Sequence, residues 1–286
     1  MIGIKTNELP ELESPVLIAG FNGWGNALDI SKSTAEHLVS VFNAEAFATL
    51  DCDEFFRYDD VRPVVNILGG RLKSFAPPGG TFYYAKTSEG EPDLVILVSH
   101  EPNCKWQMFT DSLFDLANSL KASMVITLGS MFDNVLHTDR VISGIASSDE
   151  LMEVLKRKKI TPVFYQGPSA IHAMIQTEGE KKGIPCLSLW AHSPYYVQGF
   201  IHYGLLSGMS RLLGDICGFA IDTDELEESW LDMEDNIQKV IDDDPELTAL
   251  ISRFTESKTV TARKNLKQAI NPDDKVIDLT EFLRLD

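Results

Sequence analysis

A three-layer α/β/α sandwich followed by a C-terminal helical hairpin is the fold this sequence predicts. Three observations lead to it. Short runs of β-branched and bulky apolar residues alternate with helix-period segments through about residue 218. Two of the runs, "LVILVS" and "MVITLG", are apolar without interruption, as strands covered on both faces of a parallel sheet must be. Beyond residue 220 the strand signals stop and two amphipathic helical patterns follow.

Taken in order, strands are expected over Val16–Phe21, Phe47–Leu50, Val64–Leu68, Leu94–Ser99, Met124–Leu128 and Cys186–Trp190. "RLKSFAPPGGTFYYAKT" predicts two strands around a Pro-Pro-Gly-Gly turn, an antiparallel excursion from the sheet. The segment after the first strand reads as a helix. Trp106, Phe109, Leu113, Leu116 and Leu120 step by three and four along another, with Asn103 as its expected N-cap. Ile171, Met174 and Ile175 mark a third, opened by Gly167-Pro168, and Leu205, Met209, Leu212 and Ile216 a fourth. Leu226, Trp230, Met233, Ile237 and Val240 form one face of the next. Asp244-Pro245 then starts the last, which carries Leu247, Leu250, Ile251 and Phe254. The chain divides into a core at 1–220, an acidic helical hairpin at 221–256 able to pack on the sandwich or on another subunit, and a linker and tail at 257–286.

Composition narrows the function classes. With 44% hydrophobic residues in 286, the chain can bury a full core. A net charge of −18 argues against nucleic acid, whose binding needs phosphates neutralised by Lys and Arg. Asp222–Glu246 alone holds 12 acidic residues against one lysine, the pattern of a solvated helix face or of a docking surface for a basic partner. No apolar run is long enough for a membrane span, and the first residues have no secretory character. Cys52, Cys104, Cys186 and Cys217 show no C-x-x-C spacing, so reduced thiols in a cytoplasmic protein are expected.

The candidate sites are scattered. Gly20, Gly23 and Gly25 read G-x-x-G-x-G, which is neither the dinucleotide fingerprint nor the P-loop. Their expected role is backbone geometry, a tight exit from a strand and close approach of a helix. The alternative is a phosphate cradle contacted by Gly23, Trp24 and Gly25. His100, His137 and His192 each follow a strand, where open α/β sheets take ligands, and Glu101 and Asp133 are the acids that could join them. If any residues are catalytic, Glu101, Asp133 and His137 are the candidates. No pair has metal-ligand spacing, so no metal and no cofactor is expected. Ser130 lacks the nucleophile-elbow signature. The aromatics of "SPYYV" (Tyr195, Tyr196) and Trp230 are candidate partner contacts.

Several segments, in order, resemble the prokaryotic branch of the proteasome-assembly-chaperone family. They are "GWGNA", "LDCDEFFRYDDVRP", "EPNCKW", "TLGSMFDNVLHTDR", "SSDE", "YQGPSAIHAM" and "SLWAHSPYYV", spanning about residues 14 to 256. The resemblance implies a mixed-sheet sandwich similar to phosphorylase/hydrolase-like proteins, and homo-oligomers, often trimers in bacterial relatives. It also implies a non-catalytic, protein-binding role with a protein partner still to be identified. Members are sometimes labelled predicted ATP-grasp carboligases, so an ATP-dependent carboxylate-amine ligase or other nucleotide-binding enzyme is the alternative. This chain offers no lysine-rich phosphate grip and no set of acidic magnesium ligands for it. It ends Arg284-Leu285-Asp286, not in the hydrophobic-Tyr-any tail of proteasome-docking relatives.

Overall fold

A computed structural model of the chain describes residues 2–260 and 277–278. Along the core run β1 (Ile4–Thr6), β2 (Val16–Asn22), a 3-10 turn (Ala27–Asp29), α1 (Ile30–Val41), β3 (Glu45–Leu50), α2 (Cys52–Phe55), β4 (Val64–Leu68), β5 (Arg71–Ala76) and β6 (Gly80–Ala85). Next come β7 (Leu94–His100), α3 (Trp106–Ser119), β8 (Met124–Asp133), β9 (Ile142–Ala146), α4 (Asp149–Arg157), β10 (Thr161–Pro162), α5 (Ile171–Lys182) and β11 (Cys186–Pro194). β12 (Val197–Gln198), α6 (Tyr203–Cys217), α7 (Asp224–Asp243), α8 (Pro245–Val260) and β13 (Ile277–Asp278) complete it.

Nine strands form one mixed sheet in the order β1-β3-β6-β7-β2-β8-β11-β9-β10. Its middle, β7-β2-β8-β11, is parallel, with antiparallel strands on both sides. The uninterrupted apolar runs are these central strands, because helices cover both of their faces. α3 and α5 cover one face, where Phe109, Leu113 and Ile175 meet Leu17, Val95 and Val125. α1, α4 and α6 cover the other, where Leu38, Leu155 and Met209 meet Ile18, Ile96 and Leu189. A third cluster joins α7 and α8 to the segment after β11 through Trp230, Ile237, Leu247, Tyr196 and Phe200.

Asp244 does cap α8, its Oδ1 accepting from the amides of Glu246 (2.9 Å) and Leu247 (3.3 Å). Three local expectations need correction. Val64–Leu68 is a strand, but it lies outside the main sheet and pairs only with β5. The turn that makes this hairpin is Gly69-Gly70, at φ +59° and +73°, the left-handed pair a two-residue turn needs. The strands flanking Pro-Pro-Gly-Gly, β5 and β6, therefore do not pair with each other; β6 joins β3 and β7. Asn103 does not cap α3, which begins after Lys105; its side chain holds the Arg57 amide at 2.8 Å and Asp60 at 2.9 Å instead. Most of the expected linker and tail at 257–286 lies outside the described residues, apart from the end of α8 and β13, which pairs with β12.

Candidate functional site

The carboxyl edge of the four parallel strands is where an open α/β sheet takes ligands. Here the chain fills the part of that edge beyond β2 and β7 itself. β2 ends at Asn22 and turns through Gly23, whose φ of +148° is open to glycine and strained for other residues. A Cβ on Gly23 would lie 2.9 Å from both Cβ and Oε2 of Glu101. Glu101 follows β7 and bridges two elements: Oε2 accepts from the Trp24 amide at 3.2 Å, and Oε1 from the Ile171 amide at 2.8 Å. Ile171 opens α5, whose N-cap, Ala170, has no side chain to serve the helix. The carboxylate thus caps a helix terminus from a distance and satisfies its dipole.

This answers what the glycine turn holds. An anion is present, and it is the protein's own. A phosphate brought here would meet the Glu101 carboxyl group and amides already engaged. The next polar groups are engaged as well. Asn26 Nδ2 donates to Asp29 at 2.6 Å while its Oδ1 accepts from the Lys32 amide at 3.2 Å. Gly25 and Gly129 exist for close approach, since added Cβ atoms would lie 3.1 Å and 2.7 Å from the Trp190 ring. Gly20 lies under α1, where a Cβ would sit 2.5 Å from the Ser31 carbonyl. Trp24 itself points outward and is 64% exposed.

The three candidate catalytic residues are not brought together. Glu101 is committed to Trp24 and Ile171. His137 is buried, held by the Tyr196 hydroxyl at 2.8 Å from its Nδ1, and burial pushes its pKa down to about 4. Asp133 pairs with His192, Oδ2 to Nδ1 at 2.7 Å. Burial would raise its pKa, but the bonds from His192 and the Asn134 amide outweigh it and hold the carboxyl below its usual range. His100 lies elsewhere, its Nδ1 3.2 Å from the Gly79 backbone. A cavity of about 460 Å³ lined by Leu28, Asp29, Phe132 and Gln198–Ile201 includes none of the four.

One constellation was not visible in the sequence. Behind Asp133 and His192, Ser143 Oγ lies 2.8 Å from His192 Nε2, giving the acid–imidazole–hydroxyl order of an activated nucleophile. Ser143 is 3% exposed inside β9, with β11 on one side and β10 on the other, so its hydroxyl has no open surface at which to meet a substrate carbonyl. The chain of bonds ties β8, β11 and β9 together. Ser143 stands in "VISGIA", a stretch with no motif, and only the strand order puts it beside His192. His172 was missed similarly. It is buried between Phe21 and Trp190, its Nε2 is 2.7 Å from the Leu128 carbonyl, and burial lowers its pKa to about 4.

Trp230, Tyr195 and Tyr196, expected as partner contacts, are buried within the chain. Trp230 is 2% exposed and stacks on His202 with ring centres 4.1 Å apart. Tyr195 and Tyr196 pack on Phe254 at 5.7 and 6.1 Å. Their aromatic surface is used up in docking the helical hairpin on its own chain. The exposed aromatics are others: Trp24, Phe75, Phe132, Phe164 and Tyr165. Among the described residues no cluster of His, Cys, Asp or Glu would hold a metal, and no helix is long and apolar enough to cross a membrane.

The model of the PAC2 family matches residues 17–241. Among solved structures, a PAC2 family protein from Streptomyces avermitilis is 27% identical with a TM-score of 0.74, over 83% of this chain and 99% of that one. A proteasome-assembly chaperone homologue from Mycobacterium tuberculosis is 24% identical with the same TM-score, over 82% and 99%. An archaeal proteasome activator from Pyrococcus furiosus is 20% identical with a TM-score of 0.66, over 83% and 97%. No curated protein matches the sequence.

Proposed function

Because this chain belongs to the PAC2 family, we propose that it is a non-catalytic, cytoplasmic protein-binding factor of the assembly-chaperone kind, acting as a homo-oligomer. The observation that carries this reading is the carboxyl edge of the sheet. Where an enzyme of this architecture would open a substrate cleft, Glu101 already occupies the amides of Trp24 and Ile171. What stands outward there is the exposed Trp24. Trp24 sits on a turn pinned by Glu101, and Phe164 and Tyr165 lie in the loop that leads into α5, with the Tyr165 hydroxyl on the Pro168 carbonyl at 2.8 Å. Exposed aromatics on fixed backbone are what a protein-contact surface requires.

The solved relatives described as a proteasome-assembly chaperone homologue and a proteasome activator point to the partner to try first. The test is sedimentation of the full chain with the proteasome core particle of its own cell. Association that falls about tenfold in Trp24→Ala and Tyr165→Ala, with unchanged melting temperature, is the expected result. Nucleotide is the counter-test. A melting shift with ATP and magnesium, worth about 2.7 kcal/mol at a hundredfold excess over Kd, together with no association, would overturn the reading.

A further inference from the structure

The β4–β5 hairpin is the part of the molecule whose chemistry the fold leaves unused. Every residue of both strands is exposed. Two strands alone are marginal in water, and they need a third strand or a packed face. This hairpin is nevertheless well specified, with a Gly69-Gly70 turn and all five residues of β4 paired to β5. Its register also contains a shift between Asn66 and Ile67 that skips Lys73 and sets Leu72 opposite Ile67. Directly paired residues share a face. The shift therefore brings two apolar pairs, Val65–Phe75 and Ile67–Leu72, to the same side, each residue 48–61% exposed. Without it, Lys73 would interrupt that face.

Charge says what covers it. From Val61 to Ser88 the chain carries Arg62, Arg71, Lys73 and Lys86 and no acidic residue, inside a protein of net charge −18. Arg71 and Lys73 make no ion pair among the described residues. Two such hairpins would repel one another. The opposite surface stands on α7. There Leu231 is 61% exposed, with Glu228, Asp232 and Asp235 on the same helical face and likewise unpaired. The hairpin leaves the core between β3 and β6, while α7 is docked through α6 and the segment after β11.

We infer that the β4–β5 hairpin is an intersubunit arm, whose apolar face and basic flank seat on the acidic outer face of α7 in a second copy of this chain. The contact is heterologous, donor patch and acceptor patch being different surfaces, so repeated head to tail it builds a ring where the rotation between copies closes and an open filament where it does not. It rests on the homo-oligomer reading above and says which surfaces make the oligomer.

Light scattering on the eluting full-length chain tests it, with circular dichroism as the control for folding. The wild type is expected to be oligomeric, and Arg71→Glu with Lys73→Glu to associate at least about tenfold more weakly while keeping its fold. Val65→Ser with Phe75→Ser, which leaves the charges in place, is expected to dissociate as well. Glu228→Lys with Asp235→Lys is expected to dissociate alone and to re-form the oligomer when combined with the Arg71 and Lys73 reversals. An oligomer untouched by the hairpin variants overturns the arm and leaves the homo-oligomer standing. Loss of mass without rescue by α7 overturns the seat proposed here. A monomeric wild type overturns both, and would assign the exposed face to another protein.

Discussion

Two hairpins project from the sandwich, one helical and one of strands, and their apolar residues meet opposite fates. In α7–α8 the stripe of Trp230, Met233, Ile237, Ile241, Leu247 and Leu250 is covered by the chain's own Tyr195, Tyr196 and Phe200. In β4–β5 the face of Val65, Ile67, Leu72 and Phe75 is covered by nothing among the described residues. The helical stripe is regular in the sequence, whereas the strand face is gathered only by the register shift that skips Lys73. The difference teaches that patterning tells which side of an element wants cover, while connectivity tells whether cover is within reach. α7 follows α6 after a short loop and folds back on it. Among the described residues β4–β5 has no neighbour that covers its apolar face.

The largest expected effect breaks the covered hairpin. Trp230→Ala removes a buried ring stacked on His202 and from beside Gly204, where a Cβ would sit 2.8 Å from the indole. A loss of about 3–5 kcal/mol is expected in chemical denaturation, since truncating a buried aromatic leaves a cavity as well as lost burial. Next is the part of the sheet edge that Glu101 closes. Glu101→Ala strips the acceptor from two amides and should cost about 1–3 kcal/mol, whereas Glu101→Gln, which keeps one acceptor oxygen, should cost less. A destabilisation below that of a surface substitution would mean the bridge is incidental.

Acid provides a finer probe, because the helical hairpin's seam holds groups whose protonation is resisted. Burial lowers the pKa of His137 and His202 to about 4, against an ordinary 6.5. Their folded forms bind the proton less readily than the unfolded chain does, so stability falls as pH drops from 6.5 towards 4. Glu227 extends the loss to lower pH. The hydrogen bond from Arg140, at 2.6 and 2.7 Å, overcomes partial burial and, with Ser207 and Arg211, takes its pKa from 4.5 to about 2. Its contribution is present above 4.5 and lost as pH falls through about 2. Trp230 fluorescence followed through both windows should report the seam loosening, and Arg140→Gln should flatten the lower one. The smallest effect belongs to the uncovered face. In the chain already dissociated by Arg71→Glu and Lys73→Glu, Leu72→Ser should alter unfolding free energy by no more than about 0.5 kcal/mol. A larger cost would mean that the strand hairpin packs on its own chain.

Much of the candidate site was legible in the wrong currency. The glycine spacing Gly20, Gly23, Gly25 announced close approach, and the partners are Ser31, Glu101 and Trp190, found 11, 78 and 165 residues further along. Glu101 was identified as a polar group at a strand end, yet its two acceptors face Trp24 and Ile171 rather than a substrate. Trp230, Tyr195 and Tyr196 read as contact residues because a sequence does not distinguish an aromatic that faces a partner from one that faces its own chain. Ser143 carried no signal at all. Its neighbour His192 lies 49 residues away, across a strand pair whose antiparallel direction no local pattern encodes.

The sequence by itself determined the layers, the central parallel strands, the positions of the long helices and the caps such as Asp244, because each depends on residues within a few positions of one another. Tertiary structure alone decided that Glu101 would fill the glycine turn, that Trp230 would be buried, and that a one-residue shift would gather Val65, Ile67, Leu72 and Phe75 on one side. Those outcomes depend on strand order and register. Burial and pairing between distant segments are properties of the assembled chain, set by which surfaces meet and not by which residues adjoin.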